Sequence, residues 1–188
     1  MTISEDATNA YYSGNFENAL SLYYRILAQD LNNSGNYYNI GLVYENLDEL
    51  ELAVSYYKKS IRLDGANVRS INNLARIYIE EIKDFETAKI YLDRAIEIAP
   101  TDAEAYNLYG NLSMLENDFD IAVAYFKKSI VLDEEYFKNY YDIALAYYAQ
   151  DKIEEAKNNI KKSIELNQNF PKAQELLNEI NNSKYPTR

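Results

Sequence analysis

Apolar, small and polar positions recur along this chain with one period. Small residues stand at Ala7, Gly41, Ala75, Gly110 and Ala144, separated by 34, 34, 35 and 34 residues. A second series, Ala19, Ala53, Ala88, Ala122 and Ala156, is separated by 34, 35, 34 and 34. Three residues before each member of the second series comes a bulky apolar residue: Phe16, Leu50, Phe85, Phe119, Ile153. Four residues after it comes another: Tyr23, Tyr57, Leu92, Phe126, Ile160. Ile3, Tyr37, Ile71, Tyr106 and Tyr140 precede the first series by four residues, and Tyr44, Tyr78 and Tyr147 follow it by three. Spacings of three, four and seven put these side chains on one helical face. The small residue lets two helices approach, and the aromatics fill the volume on either side. A period kept through two registers marks a solenoid of helix pairs, an architecture that presents an extended surface to other chains.

The pattern predicts first helices near 2–12, 35–46, 69–81, 103–116 and 137–149, and second helices near 16–29, 49–62, 85–98, 119–132 and 153–166. Helix breakers fall between them at Gly14-Asn15, Lys83-Asp84, Asn117-Asp118 and Asp151-Lys152. The one additional residue of the third repeat lies between Tyr78 and Phe85 and reads as an insertion in the turn. Pro171 suits the first position of an eleventh helix, a cap at 171–182. Ala173, Leu176, Leu177 and Ile180 form its inner face, with Lys172, Glu175 and Glu179 toward water. The expected organisation is a single solenoid over 1–183, with repeats at 1–33, 34–67, 68–102, 103–136 and 137–170 and a disordered tail at 184–188. The first repeat is the weakest, with Asp6 and Ala10 where apolar residues are usual, which leaves its first helix open: either not fully formed or a frayed cap.

These residues resemble the tetratricopeptide repeat, whose pattern reads W-x2-L-G-x2-Y, then A-x3-F, then P. The second repeat matches with Tyr37, Ile40, Gly41, Tyr44, Ala53 and Tyr57. The fifth matches with Tyr140, Ile143, Ala144, Tyr147 and Ala156, Ile160 standing for the aromatic. No repeat has the Trp, and Pro100 alone fills the terminal proline position. In the fourth repeat Tyr109 replaces the usual Leu. The resemblance implies an all-α fold: a right-handed superhelix of five helix pairs and a capping helix, with no sheet.

Composition then narrows the function. The chain carries a net charge of −11, which disfavours general nucleic-acid binding, since phosphate neutralisation needs a basic surface. It has no His and no Cys. That removes the usual general base, zinc ligands and thiol nucleophile, and no Gly-rich phosphate loop occurs. No catalysis, no cofactor and no metal are expected. No apolar run is long enough to span a membrane, and the polar N-terminal residues lack an apolar signal segment, so the expected location is cytoplasmic. A Lys-Lys-Ser-Ile element recurs at Lys58–Ile61, Lys127–Ile130 and Lys161–Ile164. Its lysines fall in last helical turns, where cations complement the helix dipole.

In the family the first helices line a concave groove. Offset from the packing face by the helical period, the groove positions are Tyr38, Asn39 and Leu42 in the second repeat and Arg69, Asn72, Asn73 and Arg76 in the third. In the fourth they are Asn107, Asn111 and Met114, and in the fifth Tyr141, Leu145 and Tyr148. Asn can donate to and accept from a peptide backbone at once. Arg grips carboxylates bidentately, and Tyr gives contact area at low entropy cost. The expected function is an adaptor holding an extended peptide, an acidic or C-terminal segment of a protein partner. The alternative is a scaffold that self-assembles into a homo-oligomer. The family's carboxylate clamp for chaperone C-termini is incomplete: Asn39 and Arg69 fit its later parts, but Ser4 and Thr8 stand where its first Lys and Asn should be.

Overall fold

A computed structural model describes residues 2–182, so the tail expected at 184–188 lies outside the described residues. Eleven α-helices and no strand occur among them. They fall into two compact units, Met1–Ile98 and Ala99 onward.

The N-terminal unit contains α1 (Ile3–Tyr12), α2 (Phe16–Leu27), α3 (Ser34–Asn46), α4 (Leu50–Leu63), α5 (Val68–Ile77), a π-helical turn (Tyr78–Ile82) and α6 (Phe85–Ile98). The C-terminal unit contains α7 (Ala103–Leu115), α8 (Phe119–Leu132), α9 (Phe137–Ala149), α10 (Ile153–Leu166) and α11 (Pro171–Asn182). Within each repeat the two helices pack as a hairpin. The small residues at their crossings are buried: Ala7, Ala75 and Ala144 of one series, and Ala19, Ala53, Ala88, Ala122 and Ala156 of the other. At Gly41 a Cβ would lie 2.6 Å from Cε1 of Tyr57, and at Gly110 it would strike the Phe126 ring. Those two glycines are required by the close approach.

Each hairpin turns through one left-handed residue: Gly14, Asp48, Lys83, Asn117 and Asp151. Asn, Asp and Gly tolerate that conformation, whereas Lys83 takes it at a cost. The next N–H closes the turn, from Asn15 to the Ala10 carbonyl, Glu49 to Tyr44, Asp118 to Ser113 and Lys152 to Tyr147. In the third repeat the same bond runs from Asp84 to Tyr78 at 3.0 Å and encloses one residue more. The additional residue is therefore not a loop insertion, as its position suggests. The helix absorbs it by widening into the π turn, which keeps the closing bond and the left-handed residue in place.

The first helix, whose formation the sequence leaves open, is well formed. Thr2 accepts from the Glu5 N–H and the Glu5 carboxylate accepts from the Thr2 N–H, a reciprocal cap. Ala7 and Ala10 are both buried, so Ala10 is a small core residue. At the other end, Ala173, Leu176 and Ile180 of α11 are buried against the C-terminal core and Leu177 packs on it.

The recurring Lys-Lys-Ser-Ile element does more than complement a dipole. Its serines are fully buried and reach back to the carbonyl that opens their own helix pair: Ser60 to Ser34, Ser129 to Ala103 and Ser163 to Phe137, at 2.9, 2.7 and 2.8 Å. Each ties the second helix to the start of the first. Lys59 and Lys128 lie over the rings of Tyr37 and Tyr106, at 4.6 and 5.6 Å from the centroids. Lys58 reaches into the next pair, its Nζ donating to the Tyr78 hydroxyl at 2.9 Å.

Candidate functional site

In the N-terminal unit the predicted residues sit in two surroundings. Tyr38 and Asn39 on α3 and Arg69 on α5 line an open cleft of about 490 Å³, with Gly35, Asp64, Ala66, Asn67 and Val68. Asn33 caps α3 and Asn67 caps α5, fixing both helix starts at its edge. Arg69 is exposed, and its guanidinium lies 6.0 Å from the centre of the Tyr38 ring.

Two helical turns further along α5 the chemistry changes. Arg76 Nη2 donates to Glu45 Oε1 at 2.6 Å, Arg76 Nη1 to Glu80 at 3.4 Å, and Tyr57 Oη to Glu45 Oε2 at 3.0 Å. Burial works against the Arg76 charge, but Glu45 and Glu80 outweigh it and hold its pKa above the ordinary value. Burial first, then the Glu45 carboxylate, push the Tyr57 phenol far above its usual range. Arg76 is thus engaged by the protein's own carboxylates. Asn72 and Asn73 are 1% and 9% exposed, so they are interior side chains here and not the open groove positions the spacing assigns them. Leu42 is half-buried, and its carbonyl accepts from Asn46 at 2.9 Å.

In the C-terminal unit Asn107 and Asn111 belong to an internal chain. Asn111 donates to Asn107 Oδ1 at 3.1 Å, and Asn107 donates to Asn139 at 3.1 Å and to Asp142 at 2.9 Å. Asn139 also accepts from Ser129 at 3.1 Å and is fully buried. This network joins α7 to α9. The helical period hides Asn139, because it assigns it to a packing position, whereas Asp142 shares the register of Asn39 and Asn73. The available signal was a polar residue held in one buried register: Asn36, Ser70 and Asn139 stand there, with Ala in α7. Met114, Tyr141, Leu145 and Tyr148 are half-buried and pack along one side of the core. Tyr141 sets its ring edge-on to Phe170, and Tyr148 donates to Glu179 of α11 at 3.1 Å.

Among the described residues no group of three or more Asp and Glu side chains could hold a metal ion, and no helix is long and apolar enough to cross a membrane.

A family model described as tetratricopeptide repeat matches residues 34–67, 68–102, 103–136 and 137–170. The stress-induced-phosphoprotein 1 of Caenorhabditis elegans is 32% identical over 89 residues, 44% of this chain and 28% of that protein. The chain spans less than half the length of several curated relatives it matches. Among solved structures, a thermophilic TPR protein of Thermus thermophilus superposes with a TM-score of 0.78 at 18% identity, over 94% of this chain and 95% of that one. YrrB, described as a TPR protein with an unusual peptide-binding site, superposes with a TM-score of 0.64 at 23% identity, over 90% of this chain and 87% of that one.

Proposed function

We propose, starting from the premise that the chain belongs to the tetratricopeptide repeat family, that it is an interaction module holding an extended segment of a partner protein, and that the N-terminal unit receives an acidic side chain or terminal carboxylate of that segment at Arg69. The observation that carries this reading is the cleft between α3 and α5. It holds an exposed guanidinium beside an aromatic face, with Asn39 able to pair with a peptide backbone. Arg76 plays a different part from Arg69. Its ion pair with Glu45 keeps the inner wall rigid, and a ligand carboxylate would have to displace Glu45 to reach it. The same reading gives Asn72 and Asn73 a supporting role behind that wall. Asn107, Asn111, Met114, Tyr141, Leu145 and Tyr148 would shape a second contact surface on the C-terminal unit. The unusual peptide-binding site ascribed to YrrB supports the class of ligand. No catalytic role is proposed, and a cytoplasmic location fits such a module.

Net hydrogen bonds contribute about 0.5–1.5 kcal/mol each, and ordering a flexible segment opposes them. Affinity near micromolar, about −8 kcal/mol, is the expected scale. The test is capture of partners from native lysate by the wild-type chain and by Arg69→Glu. Loss of the captured protein with an unchanged thermal midpoint supports the reading. Retention by Arg69→Glu would put acid recognition elsewhere. Concentration-dependent light scattering separates this module from a self-assembling scaffold.

A further inference from the structure

We propose that the open side of α9, bordered by the water-facing carboxylates of α11, docks a basic amphipathic segment of a partner protein, its apolar side on Tyr141, Leu145 and Tyr148 and its Lys or Arg side chains against Glu175 and Glu179. This rests on the reading of the chain as an interaction module but not on the Arg69 cleft, so the two tests fail separately.

Two contacts set the geometry. Tyr141, near the start of α9, meets the Phe170 ring just before α11 at a centroid distance of 5.1 Å. Tyr148, near the end of α9, donates to Glu179 near the end of α11 at 3.1 Å. The two helices therefore run side by side in the same direction. Tyr141, Leu145 and Tyr148 follow at four and three residues, so they form one stripe along α9. All three are half-buried, with one side on the core and the other open. Of the other large apolar side chains of this unit that reach water, Ile121 and Val131 lie on α8 and Leu166 ends α10, while Leu115 and Tyr136 stand at the end of α7 and just before α9, and scattered exposure of this kind is ordinary for a soluble surface.

The charges bordering the stripe choose the partner. Glu175 and Glu179 are exposed, one turn apart on α11. Burial first, then Asp142, Glu175 and Glu179, raise the Tyr141 phenol pKa, so three carboxylates converge on that ring from two helices. Lys138 and Lys172 lie at the starts of α9 and α11. Because the helices are parallel, these cations mark the starting edge and the carboxylates run from the middle toward the far end. An apolar strip bordered by anions rejects an acidic segment by repulsion and desolvation and accepts a basic one.

The test uses the full chain and a short fluorescein-labelled amphipathic helical peptide built of Leu and Lys. Its comparators are the same peptide with Glu for Lys and a scrambled peptide of equal composition without an apolar face. Fluorescence anisotropy should show binding of the Leu/Lys peptide that weakens with salt. Glu175→Gln with Glu179→Gln keeps an acceptor for Tyr148 and should weaken binding about fivefold, whereas Glu154→Gln with Glu155→Gln on α10 should change it less than about twofold. Equal losses in the two double variants, equal binding of the scrambled peptide, or tighter binding of the Leu/Glu peptide would overturn the proposal. So would self-association of the chain that Glu175→Gln with Glu179→Gln abolishes, because the face would then belong to a second copy. Circular dichroism of each variant establishes that it is folded before it is compared.

Discussion

The second and fourth repeats solve one packing problem with different chemistry. In each, a glycine on the first helix lies under an aromatic ring of the second: Gly41 under Tyr57, and Gly110 under Phe126. Phe126 completes an apolar contact. Tyr57 carries a hydroxyl into the same place, where it donates to Glu45, which in turn holds Arg76. One oxygen atom thus converts an apolar crossing into the anchor of a charged network. The C-terminal unit builds its polar interior elsewhere, from the uncharged chain Asn111–Asn107–Asn139 and Asp142. The charged wall of the N-terminal unit and the amide network of the C-terminal unit should therefore respond differently to substitution and to pH.

The largest expected effect tests what the two crossings share. Gly→Ala inside a helix ordinarily stabilises by about 0.5–1 kcal/mol through backbone entropy, but here the added atom meets a ring with no room to withdraw. Gly41→Leu and Gly110→Leu should each destabilise by about 3 kcal/mol or more, at the upper end for overpacking, read as a fall in the urea midpoint. A neutral outcome at either glycine would mean the ring relaxes and the crossing is not tight.

A smaller effect separates the two units. Arg76→Leu leaves Glu45 bonded to Tyr57 alone, in a site that retains some contact with water. The expected loss is about 1–2 kcal/mol, smaller at high salt because the salt-sensitive part has gone. The same charge removal at exposed Arg69 should leave stability within about 0.5 kcal/mol.

The smallest effect at neutral pH is Tyr57→Phe, which writes the C-terminal solution into the N-terminal unit and should cost about 1 kcal/mol by removing a hydrogen bond. Its pH dependence is the sharper reading. The folded state raises the Tyr57 pKa, so above the unfolded phenol value of about 10 the unfolded chain releases a proton that the native chain retains. Stability is complete below that pH and declines as pH rises through it. In Tyr57→Phe this part of the alkaline decline should disappear, and the wild-type N-terminal unit should open before the C-terminal one in alkali. Hydrogen exchange followed residue by residue measures this directly. Simultaneous opening would show that Tyr57 does not set the alkaline limit.

The sequence alone determined the repeat, its period and nearly every helix, because helical periodicity and small-residue spacing are properties of the chain itself. It also placed the additional residue of the third repeat between Tyr78 and Phe85. Tertiary structure decided what became of that residue, since only the fixed distance between the packed helices favours a π turn over a loop. The groove was less legible. Helical phase gives the direction of a side chain from its own axis, and Arg69 and Tyr38 do line an open cleft. It does not give the depth of the neighbouring helices, which buries Asn72 and Asn73. Nor does it give the partner that arrives from another helix. Arg76 met Glu45 thirty-one residues away in sequence, Asn107 met Asn139 and Asp142, and Tyr148 met Glu179. Each of those pairings depends on how adjacent hairpins stack, because a charge or amide is satisfied by whichever group the packing brings within about 3 Å.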